Sequence, residues 1–218
     1  MDLEANLRKY LAGRKPNERY ASFDHCFNYF QSFREAGDVP ALVSPANVQL
    51  SCVQLGFYLA SWGMLRGSAE LLQKSARSLI PIVEVVARSE TSLWEVDAHC
   101  YSESNIQRLM DLANTICQVQ PSMSDTLVTK IMLGVFGSVP AFDANFKRGF
   151  GVATFGHKAL RKIGGFFQGH ADMIDAHRVP TLEFISGEHT QRSYTRAKVI
   201  DMPFFIEGQP PAKPSAPS

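Results

Sequence analysis

Residues 45–65, PANVQLSCVQLGFYLASWGML, limit what this chain can fold into more than any other segment. Pro45 stands at a first-turn position and the segment is apolar nearly all round. That pattern predicts a central helix buried on every side, and such a helix needs other helices around it. Gln and Ser interrupt it too often for a membrane span, and no apolar run in the chain reaches the roughly 18 residues that a span requires. Segment 22–36 supplies a neighbour: Ser22 is placed as N-cap and Gly37 as the C′ stop. Phe23, Phe27, Phe30 and Phe33 recur between them at three- and four-residue spacing, which makes one apolar stripe for the core.

Further helices are predicted at 68–75, 78–88 (Pro81 tolerated in its first turn), 102–119 with Ser102 or Ser104 as cap, 124–136, 143–150, 156–176 and 190–202. Only TLEFI, 181–185, reads as a strand, short and isolated. There is no internal repeat and no linker-like stretch. The expectation is an all-α chain, with a single helical domain over residues 1–206, of one lobe or of two with a cleft. A disordered Pro-rich tail is expected over 207–218.

At 218 residues the chain can bury one sizeable core, and its 45% hydrophobic content excludes wholesale disorder. A net charge of +1 excludes a protein that holds nucleic acid by bulk charge, though not a local basic patch. Cys26, Cys52, Cys100 and Cys117 form no C-x-x-C pair and read as reduced thiols. The opening MDLEANLRKYL has charges where a signal peptide needs apolar residues, so a cytoplasmic location is expected.

One stretch carries chemistry: residues 120–150, QPSMSDTLVTKIMLGVFGSVPAFDANFKRGF. Ser124 or Asp125 caps a helix that runs to Phe136, Gly137 ends it, SVPAF makes a loop, and Asp143 starts the next helix. Asp is a common N-cap because it closes helix ends, and that role alone accounts for Asp143. The same position also stabilises an ionised carboxylate through the free N–H groups and the helix dipole. Such a carboxylate can steady a developing cation or activate a water, with Lys147 and Arg148 close by to meet phosphates.

The stretch resembles the core motif of the helix-hairpin-helix DNA glycosylases, the superfamily of endonuclease III and the MutY adenine glycosylase. That family has a hairpin of the type L-P-G-x-G-[KR]-[ST], a helix, a short Pro-containing loop, and then a catalytic Asp opening another helix. Its MutY branch reads D-G-N-x-K-R at the last point. Here Asp143-Ala144-Asn145-Phe146-Lys147-Arg148 agrees at Asp, Asn, Lys and Arg, and Pro140 stands three residues before the Asp. With one gap, residues 120–126 fall on the hairpin: Pro121 and Thr126 agree and Met123 suits the hydrophobic position. The departures are specific. Both hairpin glycines are serines, Ser122 and Ser124, and Asp125 stands where a basic residue is usual. Thr126 occupies the position of the lysine nucleophile of bifunctional members, and Lys130 lies one helical turn further on. No cysteine follows Cys117, so the iron–sulfur loop of many members is missing.

The resemblance implies a base-excision repair hydrolase, monofunctional, that cleaves the N-glycosidic bond of a modified or mispaired base flipped out of double-stranded DNA. It implies Asp143 as the catalytic carboxylate, and Ser122, Met123, Ser124, Asn145, Lys147 and Arg148 on the DNA, with no cofactor and no metal. A base pocket needs aromatic faces and amide groups. Gln54, Tyr58 and Trp62, at i, i+4, i+8 spacing in the apolar helix, are the candidates, although Tyr58 and Trp62 also suit plain core roles. Residues 126–178 hold seven Lys/Arg against three acids, the charge of a small duplex-binding face or of an ordinary solvated helix face. The alternative function is a helical nucleic-acid- or partner-binding module that kept the fold and lost the chemistry.

Other patterns are weaker. His170 and His177 are two turns apart, wider than a compact zinc pair, and suit a helix end. Arg19 and His25 form an R-x₅-H pattern like that of HEPN-type ribonucleases, but aromatic neighbours put His25 in the core. Phosphate-loop, nucleophile-elbow and H-E-x-x-H motifs are absent from the sequence.

Overall fold

The computed structural model describes residues 2–67, 69–120 and 123–210. Among these the chain is mostly helical, with ten α-helices and a single two-stranded sheet. The helices are α1 (Leu3–Ala12), α2 (Ala21–Glu35), α3 (Val48–Ser61), α4 (Ile80–Ala87), α5 (Glu103–Val119), α6 (Asp125–Phe136), α7 (Ala144–Phe150), α8 (His157–Gly169), α9 (Ala171–Ala176) and α10 (Arg196–Glu207). Strands β1 (Pro180–Leu182) and β2 (His189–Ser193) pair antiparallel between α9 and α10. One contiguous cluster of buried side chains draws on all ten helices and on the loops between them, so the apolar stripes meet in a common core.

The Phe stripe of α2 points inward: Phe23, Phe27 and Phe30 are buried and Phe33 is half-buried. Gly37 has φ +70° at the turn that follows, a conformation glycine adopts without strain. Ser22 lies inside the helix, donating to the Arg19 carbonyl at 2.7 Å, and is not its N-cap. Pro81 sits in the first turn of α4 and Ser102 caps α5.

Helix α1 is not among the expected helices, and four further regions differ from the sequence expectation. Helix α3 is not buried all round: its outer face leaves Leu50, Val53 and Phe57 exposed. An unbroken apolar sequence has no pattern to say which face is covered. Residues 68–75 hold only a short 3₁₀ turn, Glu70–Gln73, among those described. The helix expected over 156–176 breaks at His170 into α8 and α9. The helix expected over 190–202 is in fact strand β2 followed by α10. Helix α10 runs on to Glu207, and 211–218 lie outside the described residues.

The β1–β2 hairpin is anchored by a buried carboxylate. Asp24, fully buried in α2, accepts from the Leu182 N–H at 3.0 Å and the Tyr194 hydroxyl at 2.8 Å. Burial raises its pKa, and Arg14 and the Tyr194 bond only partly offset this. The folded protein therefore holds the Asp24 proton more tightly than the unfolded chain does. The contribution of this group to stability is largest below the ordinary carboxylate pKa and falls as pH rises towards its raised value. Denaturant midpoints taken at steps upward from the ordinary carboxylate pKa are expected to favour Asp24→Asn progressively over the wild type as pH rises. A pH-independent difference would contradict this.

Helix α6 crosses α3 closely, because Gly134 faces the ring of Tyr58. A Cβ built there would lie 2.4 Å from Tyr58 Cε1. Gly134→Ala is therefore expected to cost about 1–3 kcal/mol by overpacking, despite the better helix propensity of alanine. Urea denaturation checks it, and an unchanged or raised midpoint would show that Tyr58 moves aside freely.

Candidate active-site cleft

The loop from Gly137 to Asp143 joins α6 to α7. Ser124 caps α6 by accepting from the Leu127 N–H, and Gly137, at φ +67°, ends it in a left-handed turn. Side chains from α6 itself, from the turn before α5 and from α10 with its N-cap then tie down the loop backbone. The Gly137 carbonyl accepts from Thr195 Oγ1 at 2.7 Å, and that of Ser138 from the Tyr101 hydroxyl at 2.5 Å. The Ala141 N–H donates to Asp201 Oδ1 at 3.0 Å and the Phe142 N–H to Thr129 Oγ1 at 2.8 Å. Thr126 Oγ1 donates to the Phe142 carbonyl at 2.9 Å. Val139 and Phe142 are fully buried beneath it. A short loop with five of its backbone groups held in this way has little freedom left, although the buried Ser138 hydroxyl finds no partner among the described residues.

Asp143 emerges from this support with its two oxygens in different roles. Oδ1 caps α7, accepting from the Asn145 and Phe146 N–H groups, both at 3.0 Å. Oδ2 lies 3.4 Å from the ammonium of Lys130, which is almost wholly buried. Lys130 also donates to the Trp62 carbonyl at 2.9 Å. Burial pulls the Lys130 pKa below the usual lysine value, against the attraction of Asp143 and Asp201.

Asp143 and Lys130 form part of the wall of an open cleft of about 760 Å³. Trp62, Phe205, Arg19, Arg66, Thr126 and Asn145 line it with them. The Trp62 indole stacks on Tyr20 with ring centres 5.5 Å apart and an 8° tilt, and Phe205 meets its edge. The Arg19 guanidinium lies 5.1 Å from the Trp62 ring centre, within cation–π range. Asp143 is the one acid in a lining that holds Arg19, Arg66 and Lys130.

Beneath the cleft lies a second charged pair. Lys198 is buried among Tyr10, Phe23 and Trp62, and its Nζ donates to Asp201 Oδ2 at 2.9 Å and to the Tyr10 hydroxyl at 3.0 Å. Burial works to lower the Lys198 pKa, and Asp201 and Tyr10 outweigh it, so the amine is held charged. Asp201 therefore ties this lysine to the loop that carries Asp143.

Of the residues singled out in the sequence, Asp143, Asn145 and Trp62 come together on the cleft wall. Tyr58 is in the core against Phe23 and Gly134, and Gln54 is half-buried on α3 and is not part of the cleft lining. Met123 packs on the core and Ser124 is engaged as a cap, while Ser122 lies outside the described residues. Asp125 Oδ2 accepts from the Phe155 N–H at 2.8 Å. Lys147 is half-buried and Arg148 donates to the Gly208 carbonyl, and neither lines the cleft.

Arg66, Phe205 and the Lys198–Asp201 pair were not anticipated. Lys130 was noted only for its distance from the hairpin position. Its i, i+4 relation to Thr126 was the available signal, since it puts both on one face of α6. Arg19 reaches the cleft, whereas His25 packs against Phe184 with ring centres 4.9 Å apart. His170 and His177 each bond the carbonyl four residues back, at Phe166 and Met173. Among the described residues no cluster of His, Cys, Asp or Glu is fit to hold a metal, and no helix is long and apolar enough to cross a membrane. No protein family, curated protein or solved structure matches this chain.

Proposed function

We propose that the chain is a DNA base-excision glycosylase that hydrolyses the N-glycosidic bond of a modified or mispaired base. One observation carries the reading: Asp143 keeps one oxygen for its helix and sets the other beside Lys130, in the wall of an open, aromatic, cation-rimmed cleft. A flipped base needs aromatic surroundings, and the half-buried Trp62 and the buried Phe205 supply aromatic lining to the cleft. As the glycosidic bond breaks, positive charge grows on the sugar, and the fixed Asp143 carboxylate stabilises it and orients the attacking water. Lys130 holds that carboxylate in place, and Arg19 and Arg66 meet the flanking phosphates. With the Lys130 amine engaged by Trp62 and Asp143, the reaction ends at base release, which is the monofunctional outcome.

Incubation with duplexes that each carry one modified or mispaired base tests this. The expected result is an alkali-labile abasic site in an otherwise intact strand for at least one substrate. Absence of base release from every duplex, with the protein folded, would overturn it. A second reading is favoured by the hairpin segment, where Ser124 and Asp125 are spent on internal bonds. On that reading the chain is a helical binding module without chemistry, and duplex binding with no base release identifies it.

A further inference from the structure

Helices α7 and α10 meet backbone to backbone, and two glycines allow it. A Cβ at Gly149 would lie 2.2 Å from the Phe204 carbonyl oxygen, and one at Gly208 would lie 1.8 Å from that of Asn145. Any larger residue at either place would push the two helices apart. Arg148 donates to the Gly208 carbonyl, and the Gly208 and Gln209 N–H groups donate to the Phe204 and Ile206 carbonyls, both at 3.1 Å. Gln209 is thereby set beside Asn145, two residues from Asp143, and all three line the cleft. Among the described residues the side-chain amides of Asn145 and Gln209 have no hydrogen-bond partner. Each amide offers a donor next to an acceptor, the pattern that pairs with the edge of a base.

We propose that Gln209, with Asn145 beside it, reads the edge of the flipped base, and that this base is neutral and carries a lactam, a ring N–H next to a C=O. The role rests on the base-excision reading of the cleft. A side-chain amide answers a lactam with both of its groups: its oxygen accepts from the ring N–H and its NH₂ donates to the carbonyl. The guanidinium groups of Arg19 and Arg66 add donors for a second carbonyl, having no hydrogen-bond or ion-pair partner among the described residues. The same lining turns away bases made cationic by ring alkylation. Asp143 is its one acid against Arg19, Arg66 and Lys130. The Trp62 ring, the face a cationic base would need, already has Arg19, Lys130 and Lys198 at 5.1, 5.4 and 5.5 Å from its centre. Arg148 is then a positioning residue, because its bond to Gly208 holds the segment that presents Gln209.

Fluorescence anisotropy, read before turnover, tests this on duplexes of one sequence. They carry deoxyuridine opposite dG, hypoxanthine opposite dT, 1-methyladenine opposite dT, or no damage. The wild type is expected to bind the two lactam duplexes at least about tenfold tighter than the 1-methyladenine duplex, the worth of one or two good hydrogen bonds. Gln209→Ala and Gln209→Glu are expected to abolish that preference. Circular dichroism and the salt dependence of binding should stay as in the wild type, since the phosphate contacts lie elsewhere. A wild type without the preference, or a preference that both folded variants keep, overturns the proposal even where bases are released. A preference that depends on Gln209, with no base released from any duplex, supports the reading of the base by Gln209 and removes the hydrolysis instead.

Discussion

Asp143→Asn is expected to lower base release by roughly 10²–10⁴-fold, the range for a positioned proton-transfer or charge-stabilising group. The cap itself is expected to survive, because Asn caps helices about as well as Asp, but the change also takes the nearest counter-charge from the almost wholly buried Lys130, so a loss of stability of about 1–3 kcal/mol is expected beside it. The two oxygens of Asp143 make this separation possible. Asn keeps an acceptor for the Asn145 and Phe146 N–H groups, so α7 stays closed at its start. It removes the negative charge beside Lys130, which is the charge the chemistry needs. Single-turnover rates and urea denaturation on the same preparation read both halves. Wild-type rates in a folded Asp143→Asn protein would remove Asp143 from the mechanism. A larger loss of stability would show that the carboxylate acts mainly as structure.

The second large effect concerns Lys198. Lys198→Ala is expected to cost about 3–5 kcal/mol, because it leaves the buried Asp201 carboxylate without its counter-charge. Asp201 cannot turn to water: it is buried, and Oδ1 is already bound to the Ala141 N–H. The amine stem also fills space among Tyr10, Phe23 and Trp62 that alanine leaves empty. Lys198→Met combined with Asp201→Asn restores the volume and removes the lone charge, so it is expected to recover a substantial part of the loss. Chemical denaturation of the three proteins decides the matter. A Lys198→Ala variant within about 1 kcal/mol of the wild type would mean that water reaches Asp201 and that the pair is not sealed.

The helix–loop–helix around Asp143 was legible because local rules write it. Ser124 and Asp143 are N-caps, Gly137 is a left-handed stop, and the apolar spacing between them is helical. Tertiary structure set the rest. Strand β2, HTQRS, has no apolar alternation to announce it. Its place is fixed by Arg192, which bonds Glu35 through two nitrogens and Asn28 through a third, contacts more than 150 residues apart in sequence. The cleft walls were invisible for the same reason, since Arg19, Trp62, Lys130 and Phe205 come from four distant segments. The outer face of α3 failed differently: its sequence is apolar on both sides, so composition implied burial where the fold provides none.

The ties on the Asp143 loop also bear on the order in which the molecule is built. Thr195 and Asp201 lie 58 and 60 residues beyond the groups they hold at Gly137 and Ala141. During synthesis the caps of α6 and α7 can form early from neighbouring residues, yet the loop between them stays loose until α10 emerges and docks. The acid is thus presented only once α10 has been made and has docked, so products that stop before α10 carry the motif without the device that aims it.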